Sequence, residues 1–417
     1  MNDIKAMIQE ARTASSWLPR LDAERNSEIL SKVADRLLQR EESILAANSE
    51  DLARMSPESP DYDRLRLDSG RLAGIASDMK AVASLPVPWG NVIREWERPN
   101  GMTIRKVSVP FGVIGVIYEA RPNVTADVFS LCFRSGSACV LKGGHDADSS
   151  SRAIVEAVRE VLREEGLPEG LCTLLPAGRE STAVMLDAVG EIDVIIPRGG
   201  RGLIDYVRDN SRVPVIETGA GVCHTYISSS ADVGKSRDVV LNAKTRRVSV
   251  CNALDCLVVN ADRLPDLAEI CAPLAGKGVV IYADEPSYGV LSGVYPSELL
   301  RHSAEEHYGM EFRDYVMAVK TVDGLEEALD HIARFGSHHS ECIMGEDVEE
   351  TERFGKEVDA SCVYTNVSTA FTDGGQFGFG AEVGISTQKL HARGPMGLPE
   401  LTTYKYLITG DGQTRNP

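Results

Sequence analysis

The sequence predicts an α/β fold with two doubly wound domains, and three observations carry that reading. Short β-branched runs at 113–118, 138–141, 172–175, 193–196 and 214–217 alternate with helix-length amphipathic segments. A second series follows a break near residues 218–232: a helix near 233–246, then strands at 255–259, 278–282, 316–320, 340–344 and 361–365. Strands alternating with helices indicate parallel sheets covered on both faces, with ligands in the cleft between two such domains.

Each element has its own signal. Before residue 85 the chain reads as helices. Ile29, Leu30, Val33, Ala34, Leu37 and Leu38 recur at helical spacing, and a second stretch covers roughly Arg71 to Ser84. Leu85-Pro86-Val87-Pro88-Trp89-Gly90 ends that region. Between strands, Ile154, Val155, Val158, Val161 and Leu162 make one face of a helix over Ser149 to Arg163. Thr402 to Thr409 reads as an exposed terminal strand, of the kind that often pairs across a subunit contact.

Composition narrows the function. The 417 residues are 43% hydrophobic, enough for more than one core. With 44 Lys+Arg against 62 Asp+Glu, the formal charge of −18 argues against nucleic-acid binding. No apolar run reaches the ~18 residues of a membrane helix, and Met1-Asn2-Asp3-Ile4-Lys5 carries no signal-peptide pattern. Nine scattered cysteines without CxxC spacing read as reduced thiols in a cytoplasmic protein, and neither they nor the eight histidines show a metal pattern.

Two glycine-rich turns follow strands and precede helices: Leu141-Lys142-Gly143-Gly144 and Ile196-Pro197-Arg198-Gly199-Gly200-Arg201-Gly202. Backbone N–H groups at such turns suit phosphate, although neither matches GxGxxG or the Walker pattern. A tight turn is the alternative. Among the cysteines, Cys132, Cys139, Cys172 and Cys271 sit in apolar periodic surroundings and read as packed, as does Cys256 within its strand. Cys251 follows Lys244-Thr245-Arg246-Arg247 at a helix-to-strand break, where cations would favour a nucleophilic thiolate.

Longer strings are more specific. Val109-Pro110-Phe111-Gly112-Val113-Ile114-Gly115, the run Tyr118 to Thr125 (YEARPNVT), Asn242-Ala243-Lys244-Thr245, Ser249-Val250-Cys251-Asn252-Ala253 and the run Phe377 to Leu398 resemble the γ-glutamyl phosphate reductase family of the aldehyde dehydrogenase superfamily. The resemblance runs essentially end to end.

It implies an aldehyde-dehydrogenase-like fold: an NADP-binding domain over 1–222, a catalytic domain over 223–365, a return segment over 366–398 and an oligomerisation strand and tail over 399–417. Residues 94–108 would complete a small β extension, making a homo-oligomer the expectation. It implies NADPH-dependent reduction of γ-glutamyl phosphate to glutamate 5-semialdehyde, the second step of proline synthesis, through a thioester on Cys251. Asn123 and the Cys251 backbone N–H would hold the oxyanion. Lys142 would favour the 2′-phosphate of NADP(H), Gly199 and Gly200 would lie near its pyrophosphate, and Glu311 would hold the nicotinamide ribose. Arg121, Arg198 and His339 are candidate substrate contacts. Glu217 falls where aldehyde-oxidising relatives keep a general base, a role that hydride makes redundant. Ala370 stands where the family usually has Arg, and Arg246 and Val248 replace Gln and Pro. A related dehydrogenase acting on another acyl phosphate, acyl-CoA or aldehyde is the enzymatic alternative, and a non-catalytic scaffold the other. A partnership with glutamate 5-kinase is a further expectation that no surface in the sequence marks.

Overall fold

The computed structural model describes residues 1–59, 62–119 and 121–415. Ala120 of the YEARPNVT string and residues 416–417 of the expected tail lie outside them. The chain divides into two compact units: 1–218 with 378–384 and 396–417, and 219–377 with 385–395.

The first unit contains strands β1 (Val92–Glu97), β2 (Thr103–Pro110), β3 (Val113–Tyr118), β4 (Ala138–Lys142), β5 (Cys172–Leu174) and β6 (Val194–Arg198). Strands β3 to β6 form a parallel sheet in the order β5-β4-β3-β6. All six residues of β3 are buried, as expected of a strand covered on both faces. The segment 214–217, read above as a strand, makes only an isolated bridge, Ile195 to Val215. Helix Ala23–Gln39 buries Ile29, Leu30, Val33, Ala34 and Leu37, while Leu38, counted above with that face, is 38% exposed. β1, β2 and the C-terminal strand Thr402–Thr409 make a three-stranded antiparallel sheet.

Helix Asp148–Glu164 starts on a buried carboxylate. Asp51 Oδ1 accepts Ser149 N–H at 3.1 Å, and its Oδ2 accepts Ser150 N–H at 2.8 Å and the Ser150 hydroxyl. Arg54 pairs with the same group. This helix N-terminus therefore already holds an anion supplied by the chain.

The second unit contains β7 (Cys223–Ile227), β8 (Leu254–Asn260), β9 (Val280–Ala283), β10 (Leu300–His302), β11 (Val316–Val322), β12 (Ser340–Met344) and β13 (Cys362–Thr365). They form one sheet, β10-β9-β11-β8-β7-β12-β13, parallel throughout. Successive side chains alternate between two cores. Ile227, Leu257, Val259, Met317, Val319, Cys342 and Met344 pack on one face, and Tyr226, Cys256, Val258, Ala318 and Ile343 on the other. This is the doubly wound arrangement, and the α/β fold class holds. Strand β7 lies inside the stretch read above as a break. No helix among the described residues is long and apolar enough to cross a membrane.

Replacing Asp51 with Ala should leave one buried and one part-buried helix N–H group unmet and cost about 2–4 kcal/mol. A lowered denaturant midpoint at unchanged slope would register it; an unchanged midpoint would show that the cap contributes nothing.

Candidate active site

The second unit isolates one thiol. None of the nine cysteines is in a disulfide, and Cys251 alone is not buried. It sits in the turn between helix Val233–Thr245 and β8. His339 Nε2 lies 3.1 Å from its sulfur. The imidazole is fully buried, and that burial pushes its pKa down to about 4, so the ring is neutral at working pH. Its Nδ1 meets Ser340 Oγ at 2.8 Å, which contacts Thr372 Oγ1 at 2.6 Å, and Tyr364 OH reaches that oxygen at 2.8 Å. With Nδ1–H directed at Ser340, the Nε2 lone pair faces the thiol. A nucleophile, a base and a group orienting the base stand in line.

The backbone around Cys251 is tightly constrained. A Cβ on Gly221 would sit 1.6 Å from the Cys251 carbonyl oxygen, so only glycine fits. The Gly221 N–H donates to Glu311 Oε1 at 3.3 Å, which brings that carboxylate beside the cysteine loop. The Cys223 thiol donates to Cys251 O at 3.2 Å. From behind, Asn252 Nδ2 donates to Thr372 O at 2.9 Å and Ala370 O at 3.4 Å, and Thr369 Oγ1 donates to Asn252 O at 2.8 Å. Ala370 is buried, and its place in this clamp is structural.

The cations that drew attention to Cys251 act elsewhere. Lys244 is buried, donating to Leu254 O at 2.9 Å and facing Asp255 Oδ1 at 3.7 Å. Asp255, pushed up to about 7 by burial, also accepts Phe312 N–H at 3.2 Å and so fixes the residue after Glu311. Arg246 and Arg247 are exposed. His339, expected above as a substrate contact, supplies the contact to the thiol instead, from 88 positions away.

In the first unit, Arg121 is the exposed N-cap of helix Pro122–Arg134. Asn123, in that helix's first turn, donates Nδ2–H to Asp127 at 3.1 Å. Burial pushes Asp127 up to about 6. One amide hydrogen is thereby directed and the other left for a ligand. Lys142 ends β4, half-buried, its ammonium pushed down by burial and without a carboxylate partner among the described residues. Arg198 ends β6, its Nη1 against Gly384. A Cβ on Gly199 would meet the Glu119 carboxylate at 2.6 Å and push that side chain aside, and Gly200 N–H donates to Glu119 Oε2 at 2.9 Å. The turn read as phosphate-suited thus binds an anion. Glu217 pairs with Arg208 at 3.6 Å.

Known proteins give this arrangement its class. Residues 1–283 match the aldehyde dehydrogenase family. A γ-glutamyl phosphate reductase of Parabacteroides distasonis is 60% identical over 413 residues, covering 99% of this chain and 100% of the relative. That of Bacteroides fragilis is 56% identical, covering 100% and 99%. The crystal structure of γ-glutamyl phosphate reductase from Thermotoga maritima superposes with a TM-score of 0.95 at 38% identity, over 99% of this chain and 100% of that one. An acetylating aldehyde dehydrogenase from Geobacillus thermoglucosidasius shares the fold, with a TM-score of 0.71 at 16% identity, over 100% and 98%. The chain belongs to the aldehyde dehydrogenase family and, within it, to the γ-glutamyl phosphate reductases.

Because His339 titrates near 4, alkylation of Cys251 by iodoacetamide should show no histidine step near the ordinary value of about 6.5. His339→Ala should slow that alkylation about tenfold or more. A normal rate in the variant, or a step at 6.5 that disappears with it, would remove the imidazole from the thiol's control. The same depression makes native stability fall as pH drops from about 6.5 towards 4, since only the unfolded ring takes the proton there.

Proposed function

We propose that this chain reduces γ-glutamyl phosphate to glutamate 5-semialdehyde and phosphate with NADPH, through a thioester on Cys251. The observation that carries the mechanism is the Cys251–His339 contact at 3.1 Å, with Ser340 orienting the imidazole. The substrate assignment rests on the named relatives.

Cys251 attacks the acyl carbon, its S–H proton passing to His339 Nε2 as the sulfur–carbon bond forms. Phosphate leaves with the electron pair of the acyl–oxygen bond and takes the proton from the buried imidazole, a poor place to keep charge. Asn123 donates to the oxyanion, its amide oriented by Asp127, with the Cys251 backbone N–H as second donor; one such donor is typically worth ~10²–10³ in rate. NADPH, when bound, would supply the hydride that reduces the thioester carbon. As the aldehyde forms, the Cys251 sulfur leaves with the electron pair of the carbon–sulfur bond and takes up a proton from solvent.

Two features fit a phosphate-bearing cofactor: the half-buried Lys142 without a carboxylate partner among the described residues, and a Gly199-Gly200 turn that already binds a carboxylate. Lys142 and that turn would hold the phosphates, and Glu311 the nicotinamide ribose. Arg121 and Arg198 are the cations offered for substrate anions. Kinase partnership and homo-oligomerisation stay expectations of the resemblance.

Cys251→Ser should abolish phosphate-dependent reduction of NADP⁺ by glutamate semialdehyde while the fold persists by circular dichroism; wild-type turnover would sink the thioester route. Lys142→Ala should raise KM for NADPH about tenfold or more and leave KM for NADH nearly unchanged. An equal rise for both would take the 2′-phosphate away from Lys142.

A further inference from the structure

Three donors converge in the interior of the second unit. His224 on β7, Cys256 on β8 and His331 on helix Leu325–Phe335 each offer one ligand atom, and those atoms lie within 4.8 Å of one another. All three residues are buried. The reaction described above uses none of them.

Their geometry is that of a prepared site. Glu341 Oε2 faces His224 Nδ1 at 3.1 Å and accepts the His224 backbone N–H at 2.7 Å. A carboxylate on Nδ1 orients the ring, the arrangement that supports histidine ligands of metals; beside Glu341 the His224 ring is held protonated, so a metal at Nε2 displaces the proton there. His224 Nε2 is buried with no hydrogen-bond partner among the described residues. An unmet buried polar atom costs free energy and calls for an occupant. Cys256 Sγ lies 3.5 Å from His331 Nε2. Two ligands of one tetrahedral zinc, at Zn–S ≈ 2.3 Å and Zn–N ≈ 2.0–2.1 Å, lie about 3.6 Å apart. The rings of His224 and His331 meet edge to face, with centroids 5.5 Å apart.

We propose that His224, Cys256 and His331 bind a zinc-type divalent cation, backed by Glu341. On binding, the Cys256 S–H and His224 Nε2–H bonds break. The sulfur and the nitrogen keep the electron pairs and coordinate the metal, and both protons go to solvent, with no change of oxidation state. Two protons leave as one dication enters, so the interior gains no net charge. The metal ties β7, β8 and the covering helix together, a structural task separate from Cys251. The sequence shows no zinc motif because the ligands come from positions 224, 256 and 331, on three elements.

The test uses the full chain, stripped with a chelator and titrated with Co²⁺ alone. A thiolate-to-cobalt absorption band should saturate at one equivalent per chain and be displaced by Zn²⁺. It should survive Cys251→Ser and vanish in Cys256→Ser. Should that variant fail to fold, His331→Gln serves instead and should weaken Co²⁺ binding about tenfold or more. Thermal stability of the wild type should rise with added Zn²⁺. No band in the wild type, or a band that survives Cys256→Ser and vanishes in Cys251→Ser, overturns the proposal.

Discussion

Gly221 lies so close to the Cys251 peptide that a single added carbon would come within 1.6 Å of the carbonyl oxygen. The approach fixes where β7 begins relative to the cysteine loop, and the surrounding contacts follow from it. Gly221 N–H holds Glu311, Cys223 at the start of β7 reaches the Cys251 carbonyl, and Ser337 Oγ takes Val222 N–H at 2.8 Å, two residues before His339. The 369–372 segment closes the loop from the other side through Asn252. A reactive sulfur on a turn is mobile by default; here backbone contact and side-chain bonds from four segments locate it to the precision that reaction geometry demands.

Much of the sheet framework is legible because buried parallel strands must be apolar and β-branched. Val113 to Tyr118 reads directly as β3, and Ser340 to Met344 as β12. Strand β7 escapes, since Cys223-His224-Thr225-Tyr226-Ile227 contains residues that normally seek water, yet all five are buried. Some of their polar atoms are met by distant partners such as Glu341, which no local pattern encodes. The opposite failure occurs at 214–217, apolar in sequence but joined to the sheet by a single bridge.

The candidate site divides the same way. Cys251 is conspicuous by its neighbours, but the basic run that singles it out has other tasks: Lys244 is committed to Leu254 and Asp255, and the two arginines face solvent. The imidazole at the sulfur comes from the start of β12. Asn123 is named by its string, whereas its Asp127 partner goes unread although the two stand four apart on one helix face. Ala370, conspicuous as a departure from the family string, turns out to be packed and hydrogen-bonded through its main chain.

The distribution of thiols has an analytical consequence. Eight sulfurs are enclosed by packed side chains, and the ninth lies at partly accessible surface next to a neutral imidazole. Reagents too large to penetrate the cores therefore meet one reactive centre per native chain. Stoichiometric labelling becomes a count of intact molecules, and any second equivalent taken up reports opening of the interior.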